Sequence, residues 1–460
     1  MTLAVVFVVF TIASPRKTEQ NEPSNISPSL RTAIMKIAGH EICDEKLEAL
    51  ALDSKNVLVT ARAGSGKTMT LALKLALRVR QGVKADHLLA LSFNRKAANE
   101  LQIRLQRYKA GDISSATFHS LAYQIVKPHP SSLIFGDKQQ AIIQALSGNN
   151  SNMDDLNSLL AFFSRIKHED LSLDGLYAKA KRLDSKAVYA VSLYEQYTEH
   201  LKKHKLIDFD DLLDLATQCL RAMQKLPIIT LNGRKCDLGA LKLVCLDEFQ
   251  DHSRFFFNLI SAIRDTNSSL GIYVVGDDWQ AINSFAGSDL RFFHDFRSYF
   301  GESAQTTLLN NYRSGKYIVE YGNRLMKGLG KGGIAINKGG NVEHVQIDNT
   351  LGGVYVRDEL KSLIQRLSGS PLVLSRRNRL YGMDLREWQK WIPSAWFSTI
   401  HKAKGSEADT VIYVKEACQN AFETHLSLLS GQKLVEMEAE ERRIEYVALS
   451  RAKRHLVVIN

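Results

Sequence analysis

The sequence predicts an α/β chain with two parallel sheets, the first of them interrupted by a helical insertion. Three observations carry this reading. From about Asn56 short β-branched runs alternate with helical periods, the pattern of strands joined by helices. From about Leu121 to Leu241 strand signals almost vanish and helix formers dominate. The alternation then resumes at Leu243 and continues to Ile459. The expected division is a lead-in over 1–41, a first unit over 42–305 with the insertion at about 121–241, and a second unit over 306–460.

Taken in order, Met1 to Ser14 carries the apolar run LAVVFVVFTIA. It is too short to span a bilayer, and no positive residues precede it as in a signal peptide. It reads as a non-native or misassigned start, or as a buried edge element. The polar, proline-bearing segment to about Ser29 reads as a flexible lead-in. Val57-Leu58-Val59-Thr60 reads as a buried strand that ends in a glycine-rich turn and leads into a helix reaching about Arg80. Leu88 to Phe93 is a second strand, Lys96 to Arg107 a helix with its charges on one face, and a short strand precedes Thr117-Phe118-His119. Turns are expected at Gly148-Asn149-Asn150 and at Ser172 to Gly175. Leu243 to Leu246 and Ile272 to Gly276 then complete a first sheet that is broken in sequence and continuous in space. In the second unit the strand candidates are Leu372 to Ser375, Trp396 to Thr399, Thr410 to Val414 and His455 to Ile459. Gly328 to Gly340 is rich in Gly and Lys but has no GK[ST] ending at a helix start, so it reads as a surface loop.

Composition bounds the function. With 460 residues the chain can build two or three cores, and 24% charged residues are too many for a membrane bundle. Lys and Arg number 60 against 49 Asp and Glu, a net charge of +11 that suits a polyanionic partner but is also met in merely basic surfaces. The five cysteines are scattered without CxxC or His/Cys spacing, which predicts a reducing compartment and no structural metal. Cys245, inside an apolar run, reads as a core residue.

The most informative segment is Ala61-Arg62-Ala63-Gly64-Ser65-Gly66-Lys67-Thr68, which follows a strand and opens a helix. That context is what a phosphate-binding loop requires: backbone N–H groups of Gly64 to Lys67 and the helix N-terminus meet phosphate oxygens, Lys67 neutralises them, and Thr68 holds Mg2+. Ala61 replaces the first glycine of GxxxxGK[ST], which is tolerated if the position needs no positive φ. A carboxylate pair at the end of a later strand is the second requirement, and Asp247-Glu248 supplies it. Asp247 can hold the metal while Glu248 orients or deprotonates the attacking water.

With these residues in place the chain resembles the UvrD/Rep-type helicases of superfamily 1, from about Ile42 to the C-terminus. Beside the phosphate loop and DEFQD, it has LSFNRKAANEL (Leu91 to Leu101), TFHSL (Thr117 to Leu121), IDFDDLL (Ile207 to Leu213) and VGDDWQAINSFAGSD (Val275 to Asp289). LNNYRS (Leu309 to Ser314), STIHKAKGSEADTVI (Ser398 to Ile412) and ERRIEYVALSRAK (Glu441 to Lys453) follow, all in family order. The wording DDWQ, FAGSD and KGSEAD resembles the helicase IV subgroup.

The resemblance implies a P-loop NTPase fold of two RecA-like domains, ATP and Mg2+ as cofactors, and 3′-to-5′ movement on single-stranded DNA or on duplex with a single-stranded tail. It implies that Gln280 senses the γ-phosphate, that Tyr312 packs against adenine, and that Arg313 and Arg451 act as arginine fingers from the second domain. Glu407 would lie near the ribose and phosphates. Phe93, His119, Phe285 and His401 would line the strand path, with Thr117 and Thr399 meeting phosphates, because stacked aromatic faces accept any base. Arg95, Lys96 and Lys402 would add salt-dependent affinity. Competing readings are Phe93 as a core residue of its strand end and His119 as a helix cap.

Four departures from the family pattern bear on function. Lys46 stands where the family has a glutamine that reads adenine; an ammonium donates but cannot accept from the N6 amino group, which predicts relaxed nucleotide choice. Asn283 and Ala286 replace the usual Tyr and Arg of the third motif and Phe285 its usual Trp, so DNA coupling is expected to be weaker unless Trp279 compensates. The interval from Arg313 to Thr399 leaves no room for the mobile auxiliary subdomain of larger members, predicting a stripped motor. With the last expected strand at His455 to Ile459, no tail for partner recruitment is expected.

The leading expectation is an ATP-dependent DNA helicase. The alternatives are a translocase that displaces proteins without separating duplex, and a catalytically silent nucleic-acid-binding scaffold, against which the intact set of site residues argues. Stacking faces and phosphate contacts do not report the sugar; the resemblance favours DNA. No acidic metal cluster supports a nuclease, no span suggests a membrane, and the sequence names no protein partner. Cysteine usage and the DNA assignment together predict the cytoplasm, on the nucleoid.

Overall fold

The computed structural model describes residues 26–148, 153–169, 171–348, 353–367, 369–415 and 421–460. The apolar run of Met1 to Ser14, most of the lead-in, Asn149-Asn150 of the expected turn, and Cys418 lie outside the described residues.

Two all-parallel sheets form the frame. In spatial order the first holds Ser114–Thr117, Leu88–Ser92, Leu243–Leu246, Gly271–Gly276, Asn56–Ala61 and Ala304–Leu308. The second holds Asn341–Val345, Ala452–Ile459, Ala408–Val414, Leu372–Ser375 and Trp396–Thr399. Strand side chains alternate between two faces, and in both sheets each face has its own apolar core. In the first sheet Leu58, Leu89, Val244 and Ile272 pack on one side, while Val57, Leu88, Cys245 and Tyr273 pack on the other. Cys245 is therefore the core residue its setting suggested.

Several boundaries differ from the sequence reading, each for a physical reason. The strand Ala304–Leu308 pairs with Asn56–Ala61, so the first sheet runs past the division drawn at 305/306. Helices Phe118–Val126 and Phe209–Ala222 bury Phe118, Leu121, Leu212 and Leu220 in the first sheet's own core. The separate helical core contains Ile134, Phe163, Leu176 and Tyr197, so the insertion spans about 133 to 207 and not 121 to 241. Its neck is closed by a parallel bridge between Leu133 and Ile207. Ile228–Leu231 and Arg234–Asp237 form a hairpin inside the stretch read as strand-free. Asn232 and Gly233 turn it, at φ +50° and +78°, a pair suited to tight hairpin turns. Ser172 is an N-cap accepting from the amide of Gly175, so the expected turn there is a helix start. Part of the Gly328 to Gly340 loop is the strand Ile334–Asn337, paired in parallel with Asn310–Gly315.

The IDFDDLL segment fastens this neck. Asp208 caps the helix Phe209–Ala222, accepting from the amides of Asp210 and Asp211 at 3.1 and 3.0 Å. Lys167 of the insertion donates to Asp208 Oδ2 and Asp211 Oδ1, both at 2.7 Å, and Tyr197 donates to Asp208 at 3.1 Å. The insertion is also held from outside. Leu426 and Leu429, on the second unit's helix Ala421–Leu429, are buried in its core, and His425 Nδ1 lies 2.9 Å from Asp184 Oδ2.

Among the described residues no helix is long and apolar enough to cross a membrane, and no group of three or more His, Cys, Asp or Glu is placed to hold a metal ion.

His252, just after the acidic strand end, sits inside a shell of Phe118, Phe249, Phe256, Phe292 and Phe300 rings. Burial pushes its imidazole down to about 3. The unfolded chain binds that proton near pH 6.5 while the folded chain does not, so the group's contribution is full above that pH and is lost as pH falls. His252→Phe is expected to gain about 2 kcal/mol on the parent between pH 7 and pH 5. Melting temperatures at both pH values check this; an unchanged difference would contradict it.

Candidate active site

The phosphate loop runs from the end of the strand Asn56–Ala61 to the N-terminus of the helix Lys67–Arg80. Ala61 closes its strand, while Gly64 and Gly66 take φ of +72° and +89°. The missing first glycine therefore costs nothing, and the two that remain are the ones the turn requires. At Gly64 a Cβ would lie 2.6 Å from Asn311 Oδ1 and 2.8 Å from Arg313 Cβ, so the loop and the segment carrying Arg313 are in direct contact. The amide of Tyr312 donates to the Gly64 carbonyl at 3.0 Å. Ser65 Oγ is buried without a partner inside the loop, a donor left open for an anion.

Opposite the helix N-terminus, Asp247 and Glu248 end the strand Leu243–Leu246. Thr68 Oγ1 donates to Asp247 Oδ2 at 2.9 Å. Glu248 has φ +52°, an unusual conformation for a non-glycine residue, and Gln250 Nε2 donates to its carboxylate at 2.5 Å. Burial and the neighbouring Glu248 push the Asp247 carboxyl up. Burial also works against the Glu248 charge, but Lys67 and Lys404 overcome it and draw that carboxyl below its usual range. The ionised form of Glu248 is thus the favoured one.

A buried relay joins the loop to the second unit. Arg62 Nη1 lies 2.8 Å from Asp277 Oδ1 and 2.5 Å from Asp278 Oδ1, with its guanidinium 4.1 Å above the Trp279 ring. Asp277 Oδ2 accepts from Gln280 Nε2 at 2.5 Å, and Gln280 Oε1 accepts from Arg451 Nη2 at 3.0 Å. Arg451 is 1% exposed; burial, then the like charge of Arg313, push it down to about 9. Arg313 is held by Glu407 at 2.7 Å and by the Ser450 carbonyl at 3.1 Å. Lys453 lies 2.7 Å from the other oxygen of Glu407.

The sequence-derived residues of this site, Ala61 to Thr68, Asp247, Glu248, Gln280, Tyr312, Arg313, Glu407 and Arg451, therefore converge on one cleft, with two differences. Arg62 turns its guanidinium away from the loop toward Asp277 and Asp278. Glu407 is committed to Arg313 and Lys453. Lys404 was not singled out from the sequence, yet its ammonium bridges both Asp251 oxygens, at 2.9 and 2.6 Å, and the Gln280 carbonyl at 2.8 Å. Its setting in HKAKGS, next to an expected site histidine, was the available signal.

The residues expected along a strand path form two aromatic groups. In the first unit His119 packs on Phe209 and Phe256, with ring centroids at 4.8 and 5.7 Å, and the half-buried Phe93 lies 6.3 Å from Phe256. Phe135, exposed and stacked on Phe209 at 5.3 Å, extends this group and was not picked out from its loop sequence. Between the units, the exposed Phe285 meets His401 at 5.2 Å. Burial pushes both histidines down to about 4, so at neutral pH they are uncharged rings.

Thr117 and Thr399 occupy equivalent places, each ending a strand and capping the next helix by accepting from the amide three residues on, Ser120 and Lys402. The helix capping that was the competing reading of His119 is done by Thr117. Trp279 is 1% exposed beneath Arg62 and cannot stack on a base, so it does not replace the missing ring of the third motif. Lys96 reaches Ser406 at 2.8 Å and Lys402 reaches Asn378 at 3.2 Å.

A cavity of about 1290 Å³ lies between the insertion, the Phe285 loop and the second unit. Arg165, Arg376, Arg377, Arg379, Arg386 and Lys402 line it and outnumber the acids Asp137, Asp384 and Glu440. Arg376 to Arg379 come from one short run, SRRNR, whose charge was the signal that the sequence reading passed over.

Removing Arg62 leaves Asp277 buried without its cation. Arg62→Ala is expected to destabilise the chain by about 3 to 5 kcal/mol, and adding Asp277→Asn to restore part of it. Thermal or denaturant melting of the single and double variants checks this; a loss below about 1 kcal/mol would show the pair to be unimportant.

Comparison with known proteins agrees with this geometry. The family model described as UvrD/REP helicase N-terminal domain matches residues 43–301, and that described as UvrD-like helicase C-terminal domain matches 356–460. DNA helicase IV of Escherichia coli is 27% identical over 86% of this chain and 65% of its own length. ATP-dependent DNA helicase Rep of Buchnera aphidicola is 27% identical over 60% of this chain and 44% of its own. ATP-dependent DNA helicase UvrD1 of Mycobacterium tuberculosis is 28% identical over 61% and 38%. The chain thus spans between 38% and 65% of the length of these relatives. With both halves matched in order and the two facing each other across one cleft, the chain belongs to the UvrD/Rep helicase family.

Proposed function

We propose that this chain is a DNA motor that hydrolyses ATP between its two units and moves 3′-to-5′ along single-stranded DNA, separating a duplex that carries a single-stranded tail. The first unit then extends from 42 to about 308 and the second from there to 460, the protein acting in the cytoplasm on nucleoid DNA. The observation that carries the reading is Arg451, a second-unit guanidinium buried against Gln280 of the first unit beside the phosphate loop. Fingers placed this way complete the site only when the units close, which is how hydrolysis becomes relative motion.

In this reading Gly64 to Lys67 grip the triphosphate and Tyr312 packs against the base. Water attacks the γ-phosphorus, the bond to the β–γ bridging oxygen breaks, and the water proton passes to Glu248. Gln280, Arg313 and Arg451 stabilise the charge that develops on the transferred group. The Thr68 hydroxyl beside the Asp247 carboxylate suits Mg2+, which takes few protein oxygens and keeps waters and phosphates as its other ligands. When bound, it would neutralise β- and γ-phosphate charge.

The DNA strand would run from Phe93 and His119 in the first unit to the arginine-lined cavity, where Phe285 and His401 form part of the wall. Thr117 and Thr399 mark matched phosphate positions at two strand ends. Because Phe285 and His401 belong to different units, opening and closing changes the slot between them.

Turnover is expected to rise on addition of oligo-dT and to fall at least about 100-fold in Lys67→Ala and Glu248→Gln. A steady-state hydrolysis assay with and without the oligonucleotide checks this, and a basal rate unmoved by oligo-dT would overturn the motor reading. A second reading, translocation that displaces proteins without opening duplex, is favoured by the burial of Trp279, which leaves Phe285 as the exposed ring of that loop. Strand-displacement and protein-displacement assays on matched substrates separate the two.

A further inference from the structure

The base end of the cleft carries a cation. Lys46 lies in the first turn of the helix Asp44–Ala51, whose neighbour Glu45 accepts from the amides of Leu309 and Asn310, both at 3.2 Å. That anchor fixes Lys46 between the phosphate loop and Tyr312. Its Nζ sits 4.1 Å above the Tyr312 ring centroid, and a Cβ at Gly66 would lie 3.3 Å from its Cε and 3.4 Å from its Nζ. Lys46 is 6% exposed and covers one face of the Tyr312 ring, while Tyr312 itself is 41% exposed. Among the described residues no carboxylate or carbonyl accepts a hydrogen bond from the Lys46 ammonium. Burial lowers its pKa, with Cys43 and Glu45 opposing.

The two purines answer such a donor differently. A 6-oxopurine presents two adjacent acceptors, O6 and N7; adenine presents N7 beside an amino group that is itself a donor. An ammonium has three N–H donors and no acceptor, so it satisfies the first edge and meets a donor against a donor on the second.

We propose that Lys46 is a specificity-determining residue that reads the 6-oxo edge of the base, so that guanosine triphosphate is used at least as well as ATP. This rests on the nucleotide-cleft reading above and names a second substrate that the same cleft takes.

The test compares kcat/KM for ATP, GTP and ITP, with oligo-dT present, in the full chain and in Lys46→Gln. The parent is expected to show a GTP-to-ATP ratio of one or more, with ITP following GTP because both carry O6. In Lys46→Gln, whose amide both donates and accepts, the ratio is expected to fall about ten-fold or more toward ATP. A parent that favours ATP ten-fold or more overturns the proposal. So does a Lys46→Gln variant in which all three nucleotides weaken equally, since that would make Lys46 a phosphate ligand. Competition of GDP and ADP against a fluorescent nucleotide reads the same ratio without turnover. A chain that binds GDP at least as well as ADP but hydrolyses neither triphosphate would sink the motor reading and leave the base-reading role of Lys46 standing.

Discussion

Asp277 is the hub of the relay that joins the two halves of the molecule. It is fully buried, and a buried carboxylate is tolerable only when its oxygens are paired. One oxygen is taken by Arg62 of the phosphate loop and the other by Gln280, whose amide oxygen receives Arg451 from the second unit. Four side chains thus form one chain of charge-assisted contacts across the cleft, in surroundings where each bond is strengthened by the low dielectric. The phosphate loop cannot shift without disturbing Arg62, nor the second unit without disturbing Arg451. Trp279, clamped between Arg62 and Tyr446, gives the relay a rigid apolar floor.

A second set of buried ties runs beside this relay. Lys404 bridges to Asp251, so the second unit also grips the segment just beyond Asp247 and Glu248. Glu440 accepts from Ser284 on the Phe285 loop and from Gln432, which in turn receives Arg165 of the insertion. Together with Leu426 and Leu429 in the insertion core, these contacts tie the cavity's walls to one another. Movement of the second unit is therefore felt at the insertion as well as at the nucleotide loop. Asp251 and Glu440 are both buried, so breaking these ties leaves charge unpaired in the interior, and the leucines must leave an apolar core to separate.

Much of the fold was readable because it was written locally. Val57 to Thr60, Leu88 to Ser92, Val244 to Leu246 and Ile272 to Val275 are strands buried on both faces, and such strands appear as continuous apolar runs. Edge strands lack that mark. Ala304–Leu308 reads AQTTL and Asn341–Val345 is half exposed, so neither stands out from loop sequence. The hairpin at Asn232-Gly233 did carry a turn signal, hidden by the helices around it. The width of the insertion was misjudged for another reason: helices Phe118–Val126 and Phe209–Ala222 are helical like the insertion but pack on the sheet, and periodicity reports that a face is buried without saying against what.

The sequence by itself determined the strand-loop-helix setting of Lys67 and Thr68, the strand-end position of Asp247 and Glu248, and the order of motifs that assigns the family. These depend on neighbours within a few residues, where backbone geometry leaves few choices. Only the tertiary structure decided that Arg62 belongs to Asp277 and not to phosphate, that Trp279 is buried, that Thr117 and not His119 caps its helix, and that Lys46 lies on Tyr312. Each of these turns on the direction of a side chain, and most join positions far apart in the chain. Such choices are fixed by which partners folding brings within hydrogen-bond or van der Waals reach, a selection that no local pattern encodes.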